Sequence, residues 1–309
     1  MTVRVFLNPR CNHGRGLAGW RRVAAGLEGR LRRFSVEEIP SPAGLASRVS
    51  AAIEGGDRVL VAGGGDGTVN LLLNAIMACG NPPGVVLGAV GLGSSNDFHK
   101  PFRKEDSIRG IPVKVDWAGA APRDVIRVEH EGGNGARGAR YCLINASVGI
   151  TALGNSIFNC PEGFLRALRR VSVNAAITAA ALKAALDYRD IPCRMAVDDG
   201  EPAAFRVSNL GVIKSRHFAG GLRYDTEIGP ADGKLGINLY VDLSLAERIA
   251  ALIGLRRGRF SRRPKASCWR GERLSLAGDR PFELEMDGEV VRANAARFQV
   301  VPGAVRCCR

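Results

Sequence analysis

The sequence contains no run of about 20 consecutive apolar residues, which is the length that a membrane-spanning helix requires. Its most apolar stretch, residues 175–182, ends at Lys183 and predicts an alanine-rich helix. The N-terminal segment MTVRVFLNPR also lacks the long apolar region of a secretory signal. We therefore expect neither a transmembrane anchor nor a cleaved leader.

Cysteine spacing excludes further classes. None of the eight cysteines forms a C-x-x-C pair, so neither a zinc site nor a thioredoxin-like redox motif is favoured. A chain of 309 residues can build its core without disulfides, and scattered cysteines are typical of a reducing compartment. We expect a cytoplasmic protein.

Acidic residues are few relative to basic ones. The chain has 44 Lys and Arg against 30 Asp and Glu, so its formal net charge is +14. This excess predicts an anionic partner, which could be a nucleotide, a nucleic acid or an acidic membrane surface. Arginine clusters are also typical of solvated faces, so the charge alone does not choose among these readings. The 46% of hydrophobic residues exclude a largely disordered chain.

The first third of the sequence alternates between strand-like and helix-like segments. Residues 3–7, 34–39, 59–62 and 85–90 predict strands, because they are short apolar runs bounded by loops. Strands separated by helices predict a doubly wound, mainly parallel sheet. We therefore expect an α/β nucleotide-binding domain over residues 1–122.

After residue 122 the pattern becomes β-rich. Short strand-like runs alternate with Asp–Gly turn signals, and the stretch Phe164–Tyr188 predicts one helical interruption. We expect a β-rich sandwich as a C-terminal substrate domain over residues 123–298. Residues 299–309 are a candidate strand that returns to the first domain.

The segment VLVAGGGDGTVN, residues 59–70, is the most informative in the chain. A strand opens onto consecutive glycines and leads into a helix. Glycines let backbone N–H groups approach a phosphate, and the helix presents its N-terminus to the same anion. The spacing matches neither the P-loop nor the dinucleotide-binding fingerprint. A tight turn without a ligand is the alternative, which four glycines and an aspartate in six residues disfavour.

Residues 64–70, GGDGTVN, resemble the signature of the diacylglycerol kinase catalytic-domain superfamily, which includes bacterial lipid kinases, sphingosine kinases and ceramide kinases. NAD kinases and phosphofructokinases share the GGDGT core, so this segment does not name the substrate. Other segments are similar to lipid kinases and occur in the same order. They are FLNP (6–9), SSNDF (94–98), RDV (123–125), YCLINASVGITA (141–152), GGLRYDTEIGPADGKLGINLYV (220–241), MDGE (286–289) and FQVVPGAVR (298–306). The resemblance implies an NAD-kinase/phosphofructokinase-like first domain.

The resemblance also implies ATP and Mg²⁺ as cofactors, because phosphoryl transfer needs positioned phosphates and a divalent cation. The residues expected to hold the nucleotide are Asn8, Gly64, Gly65, Asp66, Gly67, Thr68, Asn70, Ser94 and Asn96. Asp66 and Asp124 are the candidates for the catalytic Mg²⁺, since hard oxygen ligands suit this ion.

Two Asp–Gly pairs in the second half receive roles from the same resemblance. Glu289 is expected to accept the proton of the lipid hydroxyl, with Asp287 beside it. Asp232, with backbone carbonyls near Gly229 and Lys234, is expected to hold a structural Mg²⁺. An Asp–Gly pair is also a common hairpin signal, so a plain turn is the alternative at both places.

If the substrate is a membrane lipid, the candidate partner of the basic segments is the anionic membrane surface. The helical stretch 164–188 carries apolar residues together with Arg166, Arg169 and Arg170, and it could rest on an anionic bilayer. The basic run 256–273 could contact phosphate head groups. The alternatives are a helix packed on the sandwich and a solvated loop.

We therefore expect an ATP- and Mg²⁺-dependent lipid kinase that acts on a hydroxyl of diacylglycerol or a related lipid, with peripheral contact to an anionic membrane. The sequence departs from the family pattern at Leu71, Gly91 and Ser94, so a nucleotide- or lipid-binding homologue without turnover stays open. A kinase of a soluble hydroxyl substrate and a homodimer stay open too. No nucleic-acid motif accompanies the basic residues, and we expect no nucleic-acid partner.

Overall fold

The computed structural model describes residues 2–31, 33–133 and 135–309, without the side chains of residues 13, 170 and 174. The chain divides into two units, which are described separately. The first unit is Met1–Val125 with Pro302–Arg309, and the second is Ile126–Val301. The sequence predicted the two junctions at residues 122 and 299.

The first unit alternates strands and helices. Its strands are β1 (Thr2–Leu7), β2 (Phe34–Glu38), β3 (Asp57–Gly64), β4 (Val86–Gly91), β5 (Ser107–Ile108) and β6 (Ile111–Lys114). Its helices are α1 (Cys11–Gly14), α2 (Gly16–Leu31), α3 (Leu45–Glu54) and α4 (Asp66–Ala78), and a 3-10 turn covers Asp97–His99.

The sheet of the first unit has the strand order β2–β1–β3–β4, and these neighbours are all parallel. β6 pairs with β4 in the antiparallel direction. The last strand of the chain, β17 (Glu289–Cys307), ends in this unit, where Arg306 and Cys307 pair in parallel with β4. Mixed α/β structure is therefore observed, and the doubly wound arrangement stays a prediction.

Apolar periodicity explains how this unit forms its core. β3 and β4 are buried along almost their whole length, as expected of strands covered on both faces. Helix α2 buries Trp20, Val23, Leu27 and Leu31, which recur at helical spacing on one side. These side chains pack in one cluster with β1, β3 and β4.

The second unit is built mainly from antiparallel strands. Its strands are β7 (Ala121–Glu131), which begins in the first unit, β8 (Arg137–Cys142), β9 (Asn145–Gly149), β10 (Ile191–Val197), β11 (Ala203–Ile213), β12 (His217–Phe218), β13 (Leu222–Arg223), β14 (Leu235–Val241), β15 (Ala266–Gly271), β16 (Arg273–Met286) and most of β17. The strand order is β15–β14–β11–β10–β16–β17, and β9 pairs with both β11 and β16. The expected β-rich second half is confirmed. Across the described residues, antiparallel pairings outnumber parallel ones.

Four helices described in the second unit replace the single predicted one. They are α5 (Ile150–Asn159), α6 (Gly163–Val171), α7 (Val173–Asp187) and α8 (Leu245–Arg257). The chain breaks between α6 and α7 because the Ser172 side chain accepts the N–H of Ala175 and caps the start of α7. The described residues include no helix long and apolar enough to cross a membrane.

Candidate active site

The glycine-rich turn of the first unit joins β3 to α4. β3 ends at Gly64, and α4 begins at Asp66. A Cβ atom on Gly64 would collide with the hydroxyl and methyl groups of Thr68, so a side chain cannot be placed there without displacing the helix start. The glycine is thus required by close packing between the end of the strand and the first turn of the helix.

A second glycine turn, which follows β4, packs against the first. The backbone N–H of Leu92 donates to the carbonyl of Gly64 at 2.8 Å. A Cβ atom on Gly93 would lie 2.5 Å from the Cα of Gly65. The two turns therefore touch backbone to backbone, which explains why both are glycine-rich.

Three residues at the start of α4 are accessible. Gly65 and Asp66 are half-buried, and Gly67 is exposed with open space around its Cα. The first turn of a helix offers backbone N–H groups without intrahelical acceptors, and its dipole favours an anion. Thr68 is buried instead, and its hydroxyl accepts a hydrogen bond from the Asn8 side chain at 3.2 Å. Asn8 and Thr68 therefore pair beside the candidate phosphate site.

Asn96 stabilises the turn after β4. Its side chain donates to the carbonyls of Gly91 and Gly93 and accepts the N–H of Gly93, each at 3.0 Å. A Cβ atom on Gly91 would lie 2.8 Å from the Pro112 side chain, so local packing explains the departure from the family pattern at this position. Ser94 lies exposed on the same turn.

Asp66 is linked to a pair of cations that the sequence did not reveal. Its Oδ1 atom accepts the N–H of Phe98 at 2.9 Å. The Phe98 ring lies against Lys114 Nζ, 5.8 Å from the ring centre, and the Arg123 guanidinium, 5.3 Å from it. Burial and the neighbouring charge of Arg123 lower the pKa of Lys114. Arg123 belongs to the RDV segment at residues 123–125, and Lys114 lies outside every recognised motif.

Two further expected ligands of the first unit, Asn70 and Asp124, are also buried. Asn70 is 1% exposed within α4, and its side-chain oxygen accepts a hydrogen bond from Asn74 at 3.2 Å. Asp124 is 2% exposed, and it accepts the N–H of Gly303 at 2.8 Å. Asn70 thus packs inside the unit, and Asp124 fixes the C-terminal return. Both side chains are less exposed to solvent than Gly65, Asp66 and Gly67 at the start of α4.

The acidic segment of the second unit forms a tight hairpin. Met286 pairs with Glu289, so Asp287 and Gly288 form a two-residue turn, and their φ angles are 48° and 95°. Positive φ at both central residues is typical of a type I′ turn, which explains the Asp–Gly sequence. Glu289 is exposed at the start of β17, whereas Asp287 is buried.

The buried carboxylate of Asp287 anchors a neighbouring segment. It accepts three backbone N–H groups, from Leu143 at 2.7 Å, Ile144 at 3.0 Å and Asn145 at 2.9 Å. The Asp287 N–H returns a bond to the Asn145 carbonyl at 3.0 Å. Asp287 thus stabilises the approach to β9, a role that the hairpin pattern alone did not reveal.

Glu285, two residues before this turn, was missed by the sequence analysis. It is 2% exposed and accepts hydrogen bonds from the side chains of Asn145 and Ser147, both at 2.8 Å, and from the Gly288 N–H at 2.6 Å. Burial raises the pKa of Glu285 to about 7; the charge of Asp287 adds to this, and the hydrogen bonds oppose it. Leu284, Glu285 and Met286 are all buried, so both faces of β16 are covered here and a period-2 pattern does not single out the buried acid.

The raised pKa of Glu285 predicts a loss of stability with rising pH. Its ordinary pKa is 4.5, so between about pH 4.5 and 7 the native state holds more protons than the unfolded state. Stability should therefore fall as the pH rises through this window, by roughly 3 kcal/mol at full effect. Glu285→Gln should remove this contribution. Urea unfolding at about pH 5 and about pH 8 measures it, with Glu289→Gln as the exposed control. Equal pH dependence in the wild type and in Glu285→Gln would contradict it.

The expected structural metal site has a different arrangement. Asp232 Oδ1 accepts a hydrogen bond from Lys214 Nζ at 2.7 Å, and the same Nζ donates to the Lys234 carbonyl at 2.8 Å. Gly229 contributes its N–H to Asp232, at 2.8 Å, and not a carbonyl. These residues do not fit a divalent cation, because a lysine ammonium already contacts the expected oxygen ligands. The described residues contain no group of three or more His, Cys, Asp or Glu side chains that could hold a metal ion.

Two protein-family models match this chain, one over the first unit and one over most of the second. The model of the diacylglycerol kinase catalytic domain matches residues 2–121, and that of the YegS C-terminal NAD kinase beta sandwich-like domain matches residues 148–309. A Cronobacter sakazakii protein named "Probable lipid kinase YegS-like" is 25% identical over 266 residues, 85% of this chain and 81% of its own. A crystal structure of a Bacillus anthracis diacylglycerol kinase shares the fold, with a TM-score of 0.65 at 13% identity over 99% of this chain and 96% of the other.

The matches define the class as a phosphotransferase with an alcohol acceptor. The chain belongs to the YegS-like lipid kinase family of the diacylglycerol kinase superfamily, since the YegS model covers more than half of it. The individual roles of the residues described above stay predictions.

Proposed function

We propose that this chain transfers the γ-phosphoryl group of ATP to a hydroxyl of diacylglycerol or a related lipid, with Mg²⁺ as cofactor. The accessible start of α4, from Gly65 to Gly67, carries the proposal, because it combines an anion-binding helix start with an acidic residue inside the matched catalytic segment. Lys114 and Arg123 support it as cations that would offset phosphate charge.

The reaction would proceed by in-line displacement. The lipid hydroxyl oxygen forms a bond to the γ-phosphorus, the bond from that phosphorus to the β,γ-bridging oxygen breaks, and ADP leaves. The hydroxyl proton passes to a carboxylate, for which Glu289 is the accessible acid of the hairpin. Asp287 is engaged by three backbone amides, which suits a positioning role.

Asp66 is the residue that fits Mg²⁺ in the first unit. The ion commonly uses one or two protein carboxylates together with substrate phosphates, so a cluster of three acids is not required. Bound there, Mg²⁺ would neutralise part of the charge on the β- and γ-phosphates. Asp124, buried against Gly303, suits this role less well.

A transfer assay on an unselected lipid extract tests the proposal. Purified protein, γ-labelled ATP and the extract are incubated with Mg²⁺ and with EDTA, and the products are identified by mass spectrometry. We expect labelled lipid only with Mg²⁺. Label in a soluble acceptor, from a parallel extract of small metabolites, would favour the soluble-hydroxyl alternative. ATP binding without transfer in either extract would favour the homologue without turnover.

Exposed apolar side chains favour a lipid substrate over a soluble one. In the second unit, Phe164 and Val171 of α6 are 73% and 85% exposed. Three apolar residues of α8 are also exposed, and they recur every four residues. They are Leu245, Ile249 and Ile253. Exposed arginines accompany both helices; they are Arg166, Arg256 and Arg257. Exposed apolar side chains beside basic ones are typical of a surface that rests on anionic lipid, so we expect the protein to act in the cytoplasm at the membrane.

The arginines of α6 do not contribute equally. Arg166 is exposed, whereas Arg169 lies over the Phe158 ring, 4.6 Å from its centre, and donates to the Phe158 carbonyl. The side chain of Arg170 lies outside the described residues. The membrane proposal therefore uses Arg166 and the basic end of α8.

Replacing the two most exposed apolar residues of α6, Phe164→Ser with Val171→Ser, should weaken binding to vesicles of phosphatidylcholine and phosphatidylglycerol by roughly 10-fold or more, because each buried apolar side chain contributes about 1.5–3 kcal/mol. Phe102→Ser, at a ring 54% exposed in the first unit, is the matched control and should bind normally. Co-sedimentation measures both. Undiminished binding of the double variant, or a change only in its oligomeric state, would contradict a membrane role for α6.

A further inference from the structure

The carboxylate of Asp232 is surrounded by donors on both oxygens. Oδ1 accepts from Lys214 Nζ at 2.7 Å and from the Lys234 N–H at 3.1 Å. Oδ2 accepts from the Gly229 N–H at 2.8 Å and from the Arg270 guanidinium at 2.9 Å. An ionised carboxylate has about four acceptor positions, so these four donors account for its capacity.

Lys214 is the buried member of this group. It is 2% exposed, at the end of β11, and its backbone N–H donates to the Ile144 carbonyl at 2.9 Å. A buried ammonium needs charge compensation and hydrogen-bond acceptors, which the Asp232 carboxylate and the Lys234 carbonyl supply. Lys214 thus joins the loop around Asp232 to the segment that Asp287 anchors.

We infer that the Lys214 ammonium is a built-in cation, which does for the loop of residues 229–234 what a divalent metal ion at Asp232 would otherwise do. The ammonium contacts both expected metal ligands, a carboxylate oxygen and a backbone carbonyl. A divalent ion bound to Asp232 Oδ1 would lie within about 5 Å of the Nζ atom, and like charges at this distance repel strongly. Arg270 adds a second positive charge on the other oxygen.

The ion pair should hold across the physiological pH range. Burial raises the pKa of Asp232, but hydrogen bonds from Lys214, Gly229 and Lys234 outweigh this effect and lower the pKa to about 2. The geometry carries the same conclusion, because Lys214 and Arg270 contact the two carboxylate oxygens at 2.7 Å and 2.9 Å.

The full-length protein tests this inference without reference to kinase activity. After dialysis, the wild type should retain no stoichiometric divalent ion by elemental mass spectrometry. Its thermal midpoint should be the same in EDTA as in millimolar Mg²⁺ or Ca²⁺. One equivalent of metal that Asp66→Asn also retains, or a midpoint of that variant lowered by EDTA, would overturn the inference, because the substitution removes the carboxylate proposed to hold the catalytic Mg²⁺. A failure of lipid phosphorylation would leave these measurements unaffected.

A variant pair tests the lysine itself. Lys214→Met leaves Asp232 without its buried cation and should lower the thermal midpoint by roughly 5–10 °C. Lys183→Met removes a lysine from an exposed pair with Asp187 and should shift it by about 1 °C or less. Equal midpoints for the two variants would overturn the inference. If Lys214→Met does not fold, the metal content and EDTA response of Asp66→Asn still decide it.

Discussion

Asp66→Asn should lower the rate of phosphoryl transfer to lipid by about 100- to 1,000-fold, while the protein stays folded. In the wild type, Asp66 Oδ1 accepts the Phe98 N–H at 2.9 Å. The substitution keeps a side-chain oxygen that can accept this hydrogen bond, so we expect the turn between β3 and α4 to keep its structure. It removes the negative charge from the accessible start of α4, where the nucleotide and Mg²⁺ are proposed to bind. Initial rates with γ-labelled ATP over a range of Mg²⁺ concentrations measure the effect.

The control for this experiment is Asp187→Asn, which removes a carboxylate from the exposed pair with Lys183. It should leave both the transfer rate and the thermal midpoint unchanged. A rate for Asp66→Asn within about threefold of the wild type would remove Asp66 from the catalytic machinery and leave the Mg²⁺ proposal without a ligand in the first unit.

Asp287→Ala should cause the largest loss of stability among the acidic substitutions. It would leave three backbone N–H groups without their acceptor, and each unsatisfied buried donor costs about 1–3 kcal/mol. Since domains are typically stable by only about 5–15 kcal/mol, we expect a large fall in the free energy of unfolding or failure to fold. Asp287→Asn retains one acceptor oxygen and should show an intermediate loss. Chemical unfolding followed by circular dichroism measures the series.

Glu289→Gln separates the structural role of this hairpin from its proposed chemistry. Glu289 is exposed, and its replacement should leave unfolding unchanged while lowering transfer to lipid by about 100-fold or more. If Glu289→Gln transfers phosphate normally, another group accepts the proton. If Asp287→Ala is as stable as Glu289→Gln, the three amide hydrogen bonds do not anchor the segment before β9.

The sequence predicted those features that depend on local pattern. The glycine turn at residues 63–67 could be recognised because consecutive glycines between a buried strand and an apolar helix are typical of a phosphate-binding turn. The β-rich second half followed from short runs and Asp–Gly turns. Such signals lie within about a dozen residues, so they are visible without tertiary structure.

The features that the sequence did not predict depend on contacts between distant segments. Asn70 was expected to contact the nucleotide, but its position on α4 places its side chain in the core of the first unit. Lys214 and Asp232 are 18 residues apart, and no spacing rule joins them. Glu285 had no sequence signal, because its hydrogen-bond partners Asn145 and Ser147 lie about 140 residues earlier in the chain. Helix α8 was missed because its apolar residues face partly outward, although Ser244 and Glu247 form a capping box at its start.

The route of β17 sets an order of events during synthesis. The first unit includes Pro302–Arg309, and Arg306 and Cys307 pair with the start of β4. While the ribosome is still adding the second unit, this edge of β4 lacks its final neighbour, and an open strand edge invites pairing with other chains. Removal of residues 302–309 would therefore damage the unit made first, because the sheet that carries the glycine turn is completed by a segment made after the second unit.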